Sequence, residues 1–360
     1  MKSITFLFLF FWMVNGWSQI VNFETEMDES VEETSGLLFI NDKIITHNDS
    51  GGDATLYEVD PDSGDITRRI FINNATNVDW EDLSMDENYI YIGDFGNNNG
   101  SRIDLKVYPI PLADFLSTNT VTAEIINFSY SDQVDFSPNN ETNFDAETLL
   151  NFHDQLYIFT KNRGDFHSNI YPLPKEPGTY QITKTGEINP QILITGGTYD
   201  AQADAILLTG YSLQGSFIVT INEFMDNQIT TGIEGKYPIT LVNSFQVEGI
   251  APIGQYRYYL STEGNSAVEP TLYQMNAYDI LPTELVDETP LLLFPNPASH
   301  IIRIESKGYS SATIYNISGQ LLLSSQEKSI DISTLKSGLY FIHIKNKNGQ
   351  ITIQKIEVID

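Results

Sequence analysis

Along residues 19–281, short runs rich in Ile, Val, Tyr, Phe and Thr alternate with clusters of Gly, Asn, Asp and Pro. Runs of this composition bounded by turn formers predict β-strands. No stretch keeps apolar residues at helical spacing long enough to predict a sustained helix. The strands recur in units. Each unit has a small or acidic opening, an apolar step, a polar turn, a second apolar run and a closing strand that often reads Leu-Tyr. The openings and second runs are Glu33–Leu37 with Lys43–His47, Glu81–Leu83 with Tyr89–Gly93, and Glu147–Leu149 with Gln155–Phe159. The weaker fourth unit is Gly197–Tyr199 with Ala205–Thr209, where Gly197 stands in the place of Glu. The fifth is Glu248–Ile250 with Arg257–Ser261. A spacing of about 46 to 66 residues suits four-stranded propeller blades. The expected fold is therefore all-β: a β-propeller of five or six blades over residues 19–281. An early strand, Ile20 to Glu24, is expected to close the ring on the last unit. Pro282 to Pro290 reads as a linker, and residues 291–360 as a small antiparallel sandwich of immunoglobulin-like kind.

The first residues change the picture. Lys2 precedes an eleven-residue apolar run, Ile4 to Val14, and Gly16-Trp17-Ser18 offers a small-x-small cleavage site. Eleven residues are too few to span a bilayer, which takes about 20. Residues 1–18 read as a signal peptide, and the mature chain is expected to lack a transmembrane segment.

Charge narrows the function. The chain has 48 acidic and 19 basic residues, a net charge of -29. From residue 287 onward seven acids balance seven bases, so the whole excess lies in the first 286 residues. Such a field repels nucleic acid and attracts cations. With no cysteine, disulfides, thiolate zinc sites and thiol nucleophiles are excluded. The five histidines lie apart, which argues against a zinc hydrolase. No Gly-x-Ser-x-Gly is present, so no catalytic triad is assigned.

The tail carries Phe294-Pro295-Asn296-Pro297, Tyr315-Asn-Ile-Ser-Gly319, Ile330-Asp-Ile-Ser-Thr-Leu335, Ser337-Gly-Leu-Tyr-Phe341 and Lys355 near the end. Two prolines fix a rigid opening turn. Ser318-Gly319 and Lys347-Asn-Gly349 read as hairpin turns. These marks closely resemble the C-terminal sorting domain of type IX secretion substrates, with Pro295, Asn296, Pro297, Gly319, Gly338, Tyr340 and Lys355 as its sorting positions. Glu357 and Asp360 depart from a commonly more basic end. The resemblance implies a route: periplasm, then passage through the type IX machinery to the outer surface of a Gram-negative cell. There the tail is usually removed, and the cargo is released or joined to surface lipopolysaccharide.

The propeller carries the candidate chemistry. Glu81, Glu147 and Glu248 hold one position in their repeats, with Asp79, Asp82 and Asp145 close by. Asn48, Asp49, Asp94 and Glu263 fall at the ends of the following strands. If both groups gather at one channel mouth, like charges there share protons or bind a cation. Ligands that are all oxygen favour Ca²⁺. Asp79-Trp80-Glu81-Asp82, His47–Gly52, Gly93–Asn98 and Asp145–Glu147 resemble an uncharacterised family of secreted bacterial propellers. More distantly they look like β-propeller phytase and the regucalcin–gluconolactonase hydrolases. The resemblance implies a calcium site of Glu33, Asn48, Asp79, Glu81, Asp94, Glu147 and Glu248, with Lys161 and Arg163 as phosphate or oxyanion contacts and Arg102 as a further candidate.

Each residue also has a plainer role. Strand-end carboxylates cap turns or accept backbone N–H bonds. Trp80 suits packing between blades. Asp60-Pro-Asp62-Ser-Gly64-Asp65 reads as a β-turn, because the Glu that ends a calcium loop is missing. Lys161 and Arg163 can simply pair with the acidic rim. Two functions stay open: a secreted calcium-binding propeller acting as a ligand-binding or structural module, and a calcium-dependent extracellular esterase or phosphoesterase of the phytase kind.

Overall fold

The structure is a computed structural model, and it describes residues 19–225, 228–241, 246–281, 292–306, 309–317, 319–346 and 351–359. The signal peptide, the linker and the turns at Ser318 and Lys347–Gly349 lie outside the described residues. The chain divides into two compact units, Met1–Pro282 and Thr283–Asp360.

In the first unit, five blades of four antiparallel strands follow one another. Blade 1 is Thr34–Ile40, Lys43–Asn48, Thr55–Val59 and Ile66–Ile72. Blade 2 is Trp80–Met85, Tyr89–Asp94, Lys106–Pro111 and Ile126–Tyr130. Blade 3 is Ala146–Phe152, Gln155–Thr160, Ser168–Leu173 and Gly186–Ile188. Blade 4 is Leu193–Asp200, Ala205–Ser212, Gly215–Asn222 and Ile233–Thr240. Blade 5 is Gly249–Gly254, Arg257–Thr262 and Thr271–Asn276, completed by the N-terminal strand Gln19–Glu26. The first-named strand of each blade touches that of the next, and blade 5 returns to blade 1, so the ring closes at five. Closure uses the early strand, which pairs antiparallel with the third strand of blade 5, Val21 opposite Met275 and Phe23 opposite Tyr273.

The apolar residues bury themselves between blades. Each of the five junctions has its own cluster, such as Leu38, Ile45, Trp80, Ile92 and Tyr108 between blades 1 and 2. The others lie between blades 2 and 3, 3 and 4, 4 and 5, and 5 and 1. Trp80 is fully buried, and its indole N–H donates to Thr76 O. The outer edges of blades 1, 2 and 4, which would otherwise offer unpaired backbone to other chains, are covered by parallel pairings. Thr120–Val121 lies along the outer strand of blade 1, Gly178–Ile182 along that of blade 2, and Gln19 and Ile20 along that of blade 4. One short helix, Leu112–Ser117, follows a proline and tucks Phe115 into the first cluster. Asp60 does serve a turn: its Oδ1 accepts the N–H of Asp62 and Ser63, and its other oxygen pairs with Lys43.

The second unit has two sheets. Leu292–Phe294, Ile301–Glu305 and Ser329–Asp331 form one. Tyr309–Asn316, Leu321–Ser325, Gly338–Asn346 and Ile351–Val358 form the other. Ile302, Ile304 and Ile330 meet Ile314, Ile342, Ile344 and Ile356 in one core, as a sandwich requires. Asn296 ties the opening turn to the last strand: its Nδ2 donates to Lys355 O and its Oδ1 accepts Glu357 N–H. The Tyr340 hydroxyl donates to Lys336 O.

Where blade 1 meets blade 2 the inner strands leave no room for a side chain. Gly36 has φ +53°, and a Cβ there would lie 2.7 Å from Leu83 N and 2.9 Å from Asp82 Cα. Gly36→Ala is expected to destabilise the propeller by about 1–3 kcal/mol, through the left-handed backbone and the backbone clash together. A urea titration followed by tryptophan fluorescence measures it, and an unchanged midpoint would refute this reading of the junction.

Candidate cation site at the channel mouth

Inner strands begin, and second strands end, at the same mouth of the channel. A repeated backbone irregularity aims side chains into it. In blade 2 the pairing slips between Trp80 and Asp82, leaving Glu81 as the extra residue. In blade 3 it slips between Ala146 and Thr148, leaving Glu147. In blade 4 the slip between Ile194 and Gly196 leaves Thr195. A β-bulge of this kind breaks the pleat and turns one side chain out of register. The blade 4 counterpart of Glu is therefore Thr195, and the expectation of Gly197 is corrected by two residues. Thr195 is spent on the ring, since its hydroxyl donates to Val247 O. Ser35 in blade 1 does the same, donating to Glu81 O. A repeat read only by its apolar steps cannot place a bulge, and that produced the slip.

The mouth holds a cavity of about 250 Å³. Asp49, Glu81, Glu147, Glu248 and Glu263 line it together with Lys161, Arg163, Asn98, Tyr211, Gln246 and Ser35. Asp49, Asp79 and Glu81 bring carboxylate oxygens within 4.8 Å of one another, and so do Glu81, Asp145 and Glu147. The two trios differ in charge balance. Arg163 pairs with Asp145 at 2.7 Å, and Lys161 with Glu147 at 3.0 Å. Two of the second trio's three carboxylates are thus paired with the protein's own cations, and the third, Glu81, is shared with the first trio. The first has none. Glu81 is only 4% exposed, yet among the described residues its carboxylate has neither a hydrogen-bond donor nor an ion-pair partner. Asp49 Oδ1 is also buried and unpartnered. Gly96 makes the space: a Cβ there would fall 2.0 Å from Glu81 Oε1 and 2.5 Å from Asp79 Oδ2.

Electrostatics register the crowding. Burial, then the charges of Asp79, Glu263, Glu248 and Glu33, pushes the Asp49 carboxyl up to about 8. Burial, with Glu248 and Glu33, pushes Glu263 up to about 7. Burial and Glu147 raise Glu81 well above the usual carboxylate range. Burial alone would lower the Lys161 ammonium, but Glu147, Glu248 and Glu81 more than reverse this and hold it charged.

The other expected site residues stand outside the two trios. Asn48 is committed to structure, its Nδ2 donating to Ser30 O and its Oδ1 accepting Glu33 N–H. Glu33 is exposed. Asp94 is buried and held by Arg102 at 2.9 Å. The same arginine donates to Gly96 O, so it fixes the loop that carries Gly96 and Asn98. Asp82 sits at the axis, where its carboxylate accepts N–H bonds from Leu83, Leu149 and Gly197 and ties three blades together. Glu248 lines the cavity beside Gln246 but belongs to neither trio. Asp49 and Asp145, which stand in the trios, were visible as strand-end or neighbouring acids, but only the fold shows that they converge.

Residues 292–359 match the family model of the secretion system C-terminal sorting domain. The tail is a type IX sorting domain. It marks the chain for secretion to the outer surface of a Gram-negative bacterium and implies handling by the type IX machinery. β-Agarase D of Zobellia galactanivorans is 33% identical over 70 residues, 19% of this chain and 15% of that protein. Its length is therefore mostly unmatched, and its activity is its own. Among solved structures, the α-L-arabinofuranosidase of Podospora anserina in complex with cellotriose is 8% identical over 72% of this chain and 96% of that chain, with a TM-score of 0.43. The PQQ-bound aldose sugar dehydrogenase of Streptomyces coelicolor is 10% identical over 71% and 97%, with a TM-score of 0.40. These likenesses are of fold and carry no function.

The raised carboxylates set a pH dependence. In the unfolded chain Asp and Glu titrate near ~4. Between that value and about 8 the folded mouth therefore binds more protons than the unfolded chain, and stability falls as pH rises. In EDTA, the propeller's melting temperature is expected to fall from about pH 5 to about pH 8, and Asp49→Asn to flatten the slope. Melts followed by circular dichroism check this; a rise in melting temperature over that range would refute it.

Proposed function

We propose that this protein is a secreted propeller that holds one calcium ion at its channel mouth and presents the cavity beside it to an extracellular ligand. The observation that carries the reading is Glu81: a buried carboxylate without a partner, facing Asp49 and Asp79 across a space that Gly96 keeps open. Burying an unpaired carboxylate is costly unless it is protonated or meets a cation. Asp49, Asp79 and Glu81 would hold the ion through oxygen alone, as calcium prefers. Bound there, the ion offsets part of the excess charge and draws the three carboxylates together. Once outside the cell the tail is removed, and the propeller is released or joined to surface lipopolysaccharide, as its sorting domain implies.

A phosphoesterase is the less favoured reading. It needs free cations for the phosphoryl oxygens, and Lys161 and Arg163 are already engaged by Glu147 and Asp145.

Thermal melts of the secreted chain in EDTA and in millimolar calcium test the proposal. Calcium at about 100 times its dissociation constant adds ~2.7 kcal/mol, seen as a clear upward shift. Glu81→Gln is expected to lose that shift and, by removing a buried charge, to melt higher than the native chain in EDTA. Asp94→Asn is expected to keep the calcium shift. Equal melts with and without calcium would overturn the calcium reading.

A further inference from the structure

We infer that the mouth is a docking surface for a cationic segment of an extracellular polypeptide, with one lysine or arginine side chain entering the cavity; this gives the ligand class of the reading above and rests on it. Two carboxylates carry the charge argument. Glu248 is only 6% exposed and lines the cavity. Its carboxylate accepts one hydrogen bond, from Gln246 Nε2 at 3.3 Å, and has no ion-pair partner among the described residues. Glu263 also lines the cavity and has neither. Neither residue belongs to a trio whose oxygens could meet on one ion. A calcium ion takes about six or more oxygens, whereas an ammonium or guanidinium needs only a few acceptors for its N–H groups. Charge balance agrees. Seven acids at the mouth meet Lys161, Arg163 and, on the calcium reading, one divalent ion. When ionised, the acids keep three negative charges uncompensated, so the mouth repels an anion and draws in a cation. A cavity of about 250 Å³ lies below the range of drug-sized ligands and has room for one long side chain.

The rim favours a polypeptide among cations. Second strands end at this mouth, so loops 95–105 and 161–167, which follow them, stand on its face. Loop 131–145, which leads into the inner strand of blade 3, stands there too. The three are tied together: Gln133 Nε2 donates to Gly100 O, Asn139 N–H to Asn99 O, and Asn143 Nδ2 to Asp165 Oδ2. Asn98 of the first loop and Arg163 of the third also line the cavity, so the rim is continuous with it. Loop 131–145 runs fifteen residues without a strand or helix, a length that is uncommon in a loop without a function. These loops display apolar side chains. Ile103 is 78% exposed and Val134 89%, and Phe136 and Phe166 are exposed as well. Phe166 holds φ +60°, where an aromatic residue is uncommon. A second cavity, of about 270 Å³, opens among the loops, with Asp135 and Glu141 in its lining beside Phe144. A polyamine or an amino-sugar polymer offers charge without apolar side chains. A peptide offers both, and acidic and apolar sites set side by side fit basic and apolar residues that follow one another.

Selection from a random heptapeptide library displayed on phage, against the secreted chain in millimolar calcium, tests the inference. Selected peptides are expected to carry Lys or Arg next to an apolar residue. Synthetic copies are expected to bind at least about tenfold more tightly than copies with Gln in place of the basic residue, and than spermine or a glucosamine oligomer. The double variant Glu248→Gln with Glu263→Gln leaves the calcium trio intact. It is expected to keep the calcium shift and to lose at least about tenfold in peptide affinity. Val134→Ser with Phe136→Ser is expected to weaken the peptides by about fivefold and to leave spermine binding unchanged. No selectable peptide, no enrichment of basic residues, or tighter binding of spermine or the glucosamine oligomer would overturn the inference. So would equal peptide affinity in the Glu248 and Glu263 double variant, the mark of diffuse attraction to an acidic surface. If the calcium shift persists through such a failure, the calcium reading stands alone. Peptide binding without any calcium shift would uphold the docking surface and remove the ion.

Discussion

Buried like charge is the constraint around which the propeller mouth is organised. Carboxylates from blades 1, 2, 3 and 5 converge there, and the fold supplies two nearby cations. Charges in a poorly solvated site interact strongly, so they must be paired, protonated or bridged by an ion. The protein uses pairing on one side, where Arg163 and Lys161 meet Asp145 and Glu147. On the other side Asp49, Asp79 and Glu81 are left to share protons or a cation. The imbalance between the two trios, rather than the number of acids, is what makes the first trio the candidate cation site.

The backbone makes that imbalance possible. Regular pleating sends alternate side chains to the two faces of a blade. A bulge at the start of an inner strand instead frees one residue to point into the channel. Where that residue is Glu81 or Glu147 the bulge delivers charge. At Thr195 it delivers a hydroxyl that bonds to the next blade. Ser35 joins blade 1 to blade 2 in the same way. One geometry thus serves both the site and the closure of the ring, and Asp82 adds a bond across three blades at the axis.

Without cysteine, the secreted chain relies on its own packing. Five clusters between blades, a closing N-terminal strand and parallel edge pairings supply it. A cation at the mouth would add to this on arrival outside the cell, where calcium is plentiful enough for weak sites to fill.

The sequence by itself determined the class of fold, the closing strand and the sorting tail. Each of these is written in local patterns: β-rich runs between turn formers, a repeat of apolar steps, and motifs in a fixed order. It also marked Glu81, Glu147 and Glu248 by their place in the repeat, with Asp79 close by. Tertiary structure decided which acids meet. Asp94 was as prominent in the sequence as Asp79, yet its Oδ1 is held by Arg102, only eight positions along the chain, and it joins neither trio. Asn48 was named and its neighbour Asp49 set aside, yet the side chain of Asn48 is consumed by Ser30 and Glu33 while that of Asp49 faces the cavity. The count of blades and the true blade 4 counterpart, Thr195, also waited for the fold. The reason is physical. Strand pattern is set by neighbours in sequence, whereas the direction of a single side chain at a bulge, and the charge it finds opposite, are set by blades dozens of residues away.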